Sequence, residues 1–161
     1  MIRIKRLQIG ESDLFKGIRL RALQEAPHAF SSTYASALQR SEKSWREQAD
    51  STAQGSERAT LIAFSDVEPI GIAALYRLED QAEIGVLLQV WVTPKHRGTG
   101  VAWELMDAIF EWAGENNFRT ILSRVRDENT QAHQFYIKYG FSNSDEFASS
   151  DFDGVCLIKD V

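Results

Sequence analysis

With 161 residues, 43% of them apolar, the chain is long enough to bury one hydrophobic core and too apolar to be disordered, so we expect one domain, residues 1–161. Its net charge of −5, with no basic stretch, disfavours a nucleic acid as partner, and its single cysteine excludes an internal disulfide and a zinc site made of thiolates. No apolar run approaches the ~18 residues of a membrane span and the charged start does not resemble a signal peptide, so we expect a cytoplasmic protein that does not bind membranes.

The first part of the chain predicts a strand, two helices and a run of three strands. In order, the elements are a strand over 2–9, a helix from 12 to 26, a helix over 41–48 and strands over 61–64, 70–76 and 84–92. Short connections between the three strands predict an antiparallel meander. The strand over 84–92 is almost continuously apolar, which predicts burial on both faces.

The second part predicts two more helices and three more strands. In order, these are a helix over 101–115, a strand over 121–125, a helix that begins after Asn129 and ends at Gly140, and strands over 142–147 and 155–159. The whole pattern predicts one α+β domain, in which a mixed, mainly antiparallel sheet of six or seven strands is flanked by about four helices.

The connection from the apolar strand to the long helix suits a bulky anion such as a pyrophosphate. Gly98 and Gly100 let the backbone approach such a group closely, since glycine has no Cβ. The first N–H groups of the helix and its dipole add an anion site, and Arg97 adds a positive charge. A third glycine and a Gly-Lys-Ser/Thr ending are missing, which disfavours nicotinamide cofactors and nucleoside triphosphates. A tight turn without a ligand is the alternative interpretation.

Two segments resemble signatures of the GNAT family of N-acetyltransferases. Residues 94–102 resemble the family's coenzyme A pyrophosphate loop, Gln/Arg-x-x-Gly-x-Gly/Ala, with Lys95 at the position that is usually glutamine or arginine. Residues 129–141 resemble its second signature, Asn…Phe-Tyr…x-x-Gly-Phe, and residues 82–92 resemble its fourth strand. The order of predicted elements matches the family over nearly the whole chain, which implies the acyl-CoA N-acyltransferase fold.

The resemblance implies acetyl transfer from acetyl-coenzyme A to a primary amine, on a small molecule or a peptide, by direct attack in a ternary complex. It implies that coenzyme A contacts the backbone of Val90, Trp91 and Val92, the loop residues Arg97, Gly98, Thr99, Gly100, Val101 and Ala102, and the side chain of Asn129. An N–H near Val90 would hold the thioester carbonyl. Tyr136 would be the general acid for the leaving thiolate, with a packing role beside Phe135 as the alternative.

The general base is the least defined part of this prediction. Some members of the family use a glutamate on the strand after the long helix, but residues 121–126 contain no carboxylate and Arg124 stands near that place. Glu83 is the remaining candidate, and a solvated charge at the start of its strand is the alternative. Phe30 and Tyr34 are candidates for the acceptor side.

The sequence is also compatible with other functions and assemblies. A transferase that uses another acyl group and a binding module that holds acyl-coenzyme A without turnover are both alternatives. No metal site is predicted, the acceptor amine is not identified, and a homodimer is among the possible assemblies.

Overall fold

The computed structural model describes residues 1–147 and 152–161. Across them a seven-stranded sheet has the order β1-β2-β3-β4-β5-β7-β6. The strands are β1 (Ile2–Arg6), β2 (Arg58–Ser65), β3 (Glu68–Arg77), β4 (Ile84–Val92), β5 (Thr120–Arg126), β6 (Ser142–Asn143) and β7 (Gly154–Asp160). The α-helices of this part of the chain are α1 (Ser12–Glu25), α2 (Tyr34–Leu38), α3 (Glu42–Ser51), α4 (Val101–Glu115) and α5 (Thr130–Tyr139). None of the helices so described is long and apolar enough to cross a membrane.

Helices cover both faces of the sheet. Neighbouring residues of a strand point to opposite sides, so successive residues of β2 contact different helices. On one face Leu61 and Ala63 of β2 pack in the same buried cluster as Leu105 and Ile109 of α4. On the other face Ile62 packs with residues of α1 and α3, among them Phe15 and Trp45. The sheet is therefore the middle layer of three, and its central strands are fixed from both sides.

Every neighbouring pair of strands is antiparallel except β4 and β5, which are parallel. Their register covers only Ile84 with Thr120, Gly85 with Ile121 and Val86 with Leu122. Beyond these pairs the two strands separate, while β4 stays paired with β3 as far as Val92 and β5 stays paired with β7 as far as Arg126. The separation opens a cleft at the carboxyl ends of both strands.

The predicted fold is confirmed, with differences in detail. The short helix α2 was not predicted; the Thr33 side chain caps it by accepting a hydrogen bond from the N–H of Ser36. Strand β6 is only Ser142–Asn143, shorter than predicted, and β1 ends at Arg6. The middle of β4 is not buried on both faces as predicted, since Leu88 is 36% exposed where the strand borders the cleft.

Candidate active site

The cleft between β4 and β5 holds a cavity of about 380 Å³. Strand β4 contributes residues 86–90, β5 contributes 123–126, and α5 contributes Tyr136. The connection between α1 and α2 closes another side with Phe30, one of the two residues predicted for the acceptor side. The other, Tyr34, packs against the core between α1 and α3. The cavity thus joins the predicted thioester region to the predicted acceptor region.

A β-bulge deforms β4 at the cleft. Ile72 pairs with Trp91 and Ala74 pairs with Leu88, so Ala73 alone stands opposite both Gln89 and Val90. Gln89 has a positive φ of 63°, which is uncommon for a residue other than glycine. A bulge interrupts the ladder and turns the strand locally. The N–H of Val90, predicted to hold a carbonyl oxygen, therefore lies where β4 departs from regular pairing with β3.

The start of α4 forms an open cradle of backbone groups. Gly98 and Gly100 have φ values of +78° and +93°, and a Cβ added at either would meet no atom within 4 Å. The first hydrogen bond of the helix runs from the N–H of Glu104 to the carbonyl of Gly100, and no side chain caps the helix at Gly100. The N–H groups of Val101, Ala102 and the next residue therefore have no partner within the helix. Together with the dipole of this 15-residue helix, they can hold an anion.

The Arg97 side chain is held against α1. Its Nε donates to the carbonyl of Val92 at 3.0 Å, and its guanidinium forms a salt bridge with Glu25, the last residue of α1. The Trp91 indole donates to the same carboxylate at 2.9 Å. The pKa of Glu25 is below its ordinary value, mainly because the carboxylate accepts a hydrogen bond from Arg97. The sequence did not predict this link between the loop and α1.

Asn129 and Tyr136 lie on the β5 side of the cleft, where both line the cavity with Val90. Asn129 is the N-cap of α5, and its Oδ1 accepts a hydrogen bond from the N–H of Ala132 at 3.2 Å. Tyr136 is 6% exposed, and burial raises its pKa to about 12, while a hydrogen bond with Ser123 acts in the opposite direction. Its hydroxyl therefore stays protonated at neutral pH, as a proton donor must.

Glu83 lies away from this cleft, which disagrees with its predicted role as general base. It precedes β4 at the end where β4 and β5 are paired, and it borders a separate surface depression together with Arg119. Seven residues of strand, at roughly 3.3 Å each, place it ~20 Å from Val90. Its side chain is 65% exposed and its Oε2 lies 3.8 Å from a guanidinium nitrogen of Arg119. This is the solvated charge that the alternative interpretation described.

Arg19 and Gln89 are among the polar side chains at the cleft that the sequence did not single out. Arg19 of α1 is 7% exposed and lines the cavity, as does Gln89 of the bulge. Arg19 stands four residues after Phe15 and four before Leu23, both fully buried, so helical spacing already placed it on the inner face of α1. Gln89 had no comparable signal, because one polar residue does not interrupt an apolar run.

A model of the acetyltransferase (GNAT) family matches residues 21–141, well over half of the chain. None of the curated proteins compared with the chain is a match. Among solved structures, the fold is similar to that of a GNAT-family acetyltransferase from Streptococcus pneumoniae, with a TM-score of 0.84 and 18% identity over 100% of this chain and 99% of the other.

Two further structures share the fold at similar identity. The GNAT domain of PAT from S. lividans has a TM-score of 0.80 and 18% identity, over 99% of this chain and 90% of the other. The PaiA N-acetyltransferase from Thermoplasma acidophilum, solved in complex with coenzyme A, has a TM-score of 0.71 and 19% identity, over 100% and 99% of the two chains. With the family match, the seven-stranded fold and the cleft at the separated strands, the chain belongs to the GNAT acetyltransferase family.

Proposed function

We propose that this protein transfers an acetyl group from acetyl-coenzyme A to a primary amine by direct attack. The observation that carries the proposal is the cleft itself, in which Val90, Asn129 and Tyr136 line one cavity where β4 and β5 separate. Membership of the family supports acyl transfer from a coenzyme A thioester in general. The coenzyme A complex of the similar PaiA structure supports the same cofactor here.

The residues that would hold coenzyme A fall into two groups. The backbone from Arg97 to Ala102, with its two glycines and the unpaired N–H groups of α4, suits the pyrophosphate. The backbone of residues 90–92 and the Asn129 side chain suit the pantetheine arm, which would lie between the separated strands. The Arg97 guanidinium is already bound to Glu25, so a phosphate would compete with that carboxylate for its N–H donors.

In the reaction a C–N bond forms, the C–S bond breaks, the amine loses a proton and the sulfur gains one. The N–H of Val90 stabilises the negative oxygen that develops on the thioester carbon. Tyr136 supplies the proton to the leaving sulfur, whose pKa is about 8.5 by analogy with cysteine. Because burial keeps the pKa of Tyr136 near 12, the phenol carries its proton throughout the neutral range.

The proton of the amine has no carboxylate to accept it among the described residues that line the cavity. The cavity lining includes three arginines instead, Arg19, Arg124 and Arg126. Nearby positive charge disfavours the charged form of a bound amine and therefore lowers its pKa. We propose that the amine binds as the neutral base, or loses its proton to water, and that no glutamate takes part.

Release of free thiol from acetyl-coenzyme A in the presence of a panel of amines tests the proposal. Steady release that depends on an amine, with the acetylated amine identified by mass, is the expected result. Tyr136→Phe should lower kcat by roughly 10²–10⁴-fold, the usual value of general acid catalysis, with coenzyme A affinity unchanged.

No aspartate or glutamate is found among the described residues that line the cleft. This observation also favours a second candidate function, a module that binds acyl-coenzyme A without turnover. Tight binding of acetyl-coenzyme A with no amine-dependent thiol release would favour that function instead.

A further inference from the structure

Arg19 places a charged group in an unusual position for a protein interior. It is 7% exposed, and among the described residues its Nη1 has no hydrogen-bond partner. Its guanidinium carbon lies 4.9 Å from the centre of the Phe30 ring, which covers one face of the group. A buried charge without a partner is costly, so a side chain of this kind needs a compensating ligand or a function.

The guanidinium stands between two adjoining cavities. One is the cleft described above, and the other, of about 220 Å³, lies between α1, α2 and α3. Arg19, Ser32 and Gln89 line both cavities. The second cavity therefore adjoins the cleft beside the bulge of β4.

Among the described residues, the charged side chains that line the two cavities with Arg19 are all arginines. Arg40 lines the second cavity, while Arg124 and Arg126 line the cleft, and no aspartate or glutamate is found among the described residues that line either. Desolvation lowers the pKa of Arg19 to about 10; Tyr76 acts less strongly in the opposite direction, and Arg40 less strongly still in the same direction. A cationic amine would be repelled here, whereas an anionic group would be attracted.

A second unpaired atom near Arg19 is a hydrogen-bond acceptor rather than a donor. Oε1 of Gln89 is buried, and it has no hydrogen-bond partner among the described residues. Gln89 immediately precedes Val90, the proposed oxyanion donor, and both residues line the same cavity. It can accept a hydrogen bond from an amine N–H, while Nη1 of Arg19 can donate to an anion.

From these two atoms we infer that the acceptor amine carries a carboxylate, which Arg19 binds in the second cavity while Gln89 orients the amine towards the thioester. A planar guanidinium matches a carboxylate through parallel N–H donors. The acceptor class is thus an amino acid or a similarly small amino carboxylate. This inference rests on the proposed acetyl transfer and specifies its substrate.

The test compares matched amines on the unaltered protein. Amino acids are paired with the amines that lack only the carboxylate, and aminoalkyl phosphates form a third group. We expect kcat/KM to be roughly 10- to 100-fold higher with the carboxylate, the worth of hydrogen bonds to a charged group. Equal or faster turnover of the carboxylate-free amines would overturn the inference and leave the proposed function intact. Faster turnover of the phosphates would overturn it in favour of a phosphate ligand.

Two substitutions separate a binding role from a structural one. Arg19→Met keeps the apolar stem and should remove the preference for carboxylates, so that each amino acid and its carboxylate-free partner turn over at similar kcat/KM. The same change should raise Tm, because it removes an unpaired buried charge. Arg46→Met is the matched control, since Arg46 is exposed on α3 and lines neither cavity. A preference for carboxylates that survives Arg19→Met would refute the role of Arg19, and if the variant does not fold the matched amines still decide.

Equilibrium binding distinguishes failure of this inference from failure of the proposed function. If no amine at all releases thiol, acetyl transfer is refuted. Calorimetry on the protein saturated with coenzyme A then compares N-acetyl amino acids with the matching N-acetyl amines. If only the N-acetyl amino acids bind, the Arg19 site is supported although acetyl transfer is refuted. If both groups bind with equal affinity, the Arg19 site is refuted.

Discussion

Alanine substitutions at the two glycines before α4 separate backbone strain from ligand binding. Gly98 and Gly100 have positive φ and open space around the position of a Cβ. Gly55 has the same two properties, with φ of +75°, but lies in the turn between α3 and β2, far along the chain from the cradle. It is therefore the control for the cost of the conformation alone.

The expected loss of stability is the same for all three variants. A left-handed conformation costs a residue with a side chain roughly 1–2 kcal/mol. For a domain of this size 1 kcal/mol lowers Tm by about 2–4 °C, so each alanine should lower Tm by roughly 2–8 °C.

The expected loss of coenzyme A affinity occurs only in the cradle variants. A methyl group at Gly98→Ala or Gly100→Ala projects into the space proposed for the pyrophosphate and weakens its charge-assisted hydrogen bonds. Loss of one such bond corresponds to roughly a 10- to 100-fold higher Kd. Calorimetric titration with coenzyme A and with pantetheine, which lacks the phosphates, should show the loss only for coenzyme A. Unchanged coenzyme A affinity in both cradle variants, or an equal loss in Gly55→Ala, would refute the cradle.

Three other predictions concern Tyr136, Glu83 and Gly85. Burial of Tyr136 raises its pKa from 10.0 to about 12, so the folded state holds this proton more tightly than the unfolded state and stability is lost as pH rises between these values. Between pH 9 and pH 12 the free energy of unfolding, measured with urea, should therefore fall by about 2–3 kcal/mol less in Tyr136→Phe than in the parent protein. An identical fall in both proteins would show that the phenol is not buried. Glu83→Gln should leave kcat within about a factor of two at every pH, because Glu83 lies outside the cleft, and a loss of 10²-fold or more would restore it as the base. Gly85→Ala would bring a Cβ 2.8 Å from Cδ1 of Leu75 and should cost about 1–3 kcal/mol in urea unfolding. Gly17→Ala, with open space in α1, should instead stabilise by roughly 0.5–1 kcal/mol, and equal effects of the two changes would contradict the packing at Gly85.

The features that the sequence predicted depend on residues close together in the chain. The glycines at 98 and 100, the helix after them and the cap at Asn129 are local patterns, and each is found where it was expected. The order of elements and two short motifs were enough to identify the family.

What the sequence did not predict depends on contacts between distant segments. Glu83 was placed at the start of β4, where it lies, but only the three-dimensional register shows that β4 and β5 separate at the opposite, carboxyl ends. The bond between Glu25 and Arg97 joins residues 72 apart in sequence. Arg19 carried a helical signal for burial, but the cavity beside it arises only when α1, α2 and α3 pack together.

The short register between β4 and β5 has a consequence for local opening of the protein. Three residue pairs, with the hydrogen bonds that the carbonyl of Glu83 accepts from the N–H groups of Arg119 and Thr120, connect the backbone ladder of β1 to β4 with that of β5, β7 and β6 among the described residues. Amide hydrogens of the two ladders can therefore exchange with solvent as separate cooperative units. A ligand that contacts β4 on one side and Asn129 on the other would join the two units, so its binding should slow amide exchange in β5 and β7 as well as at the residues it touches.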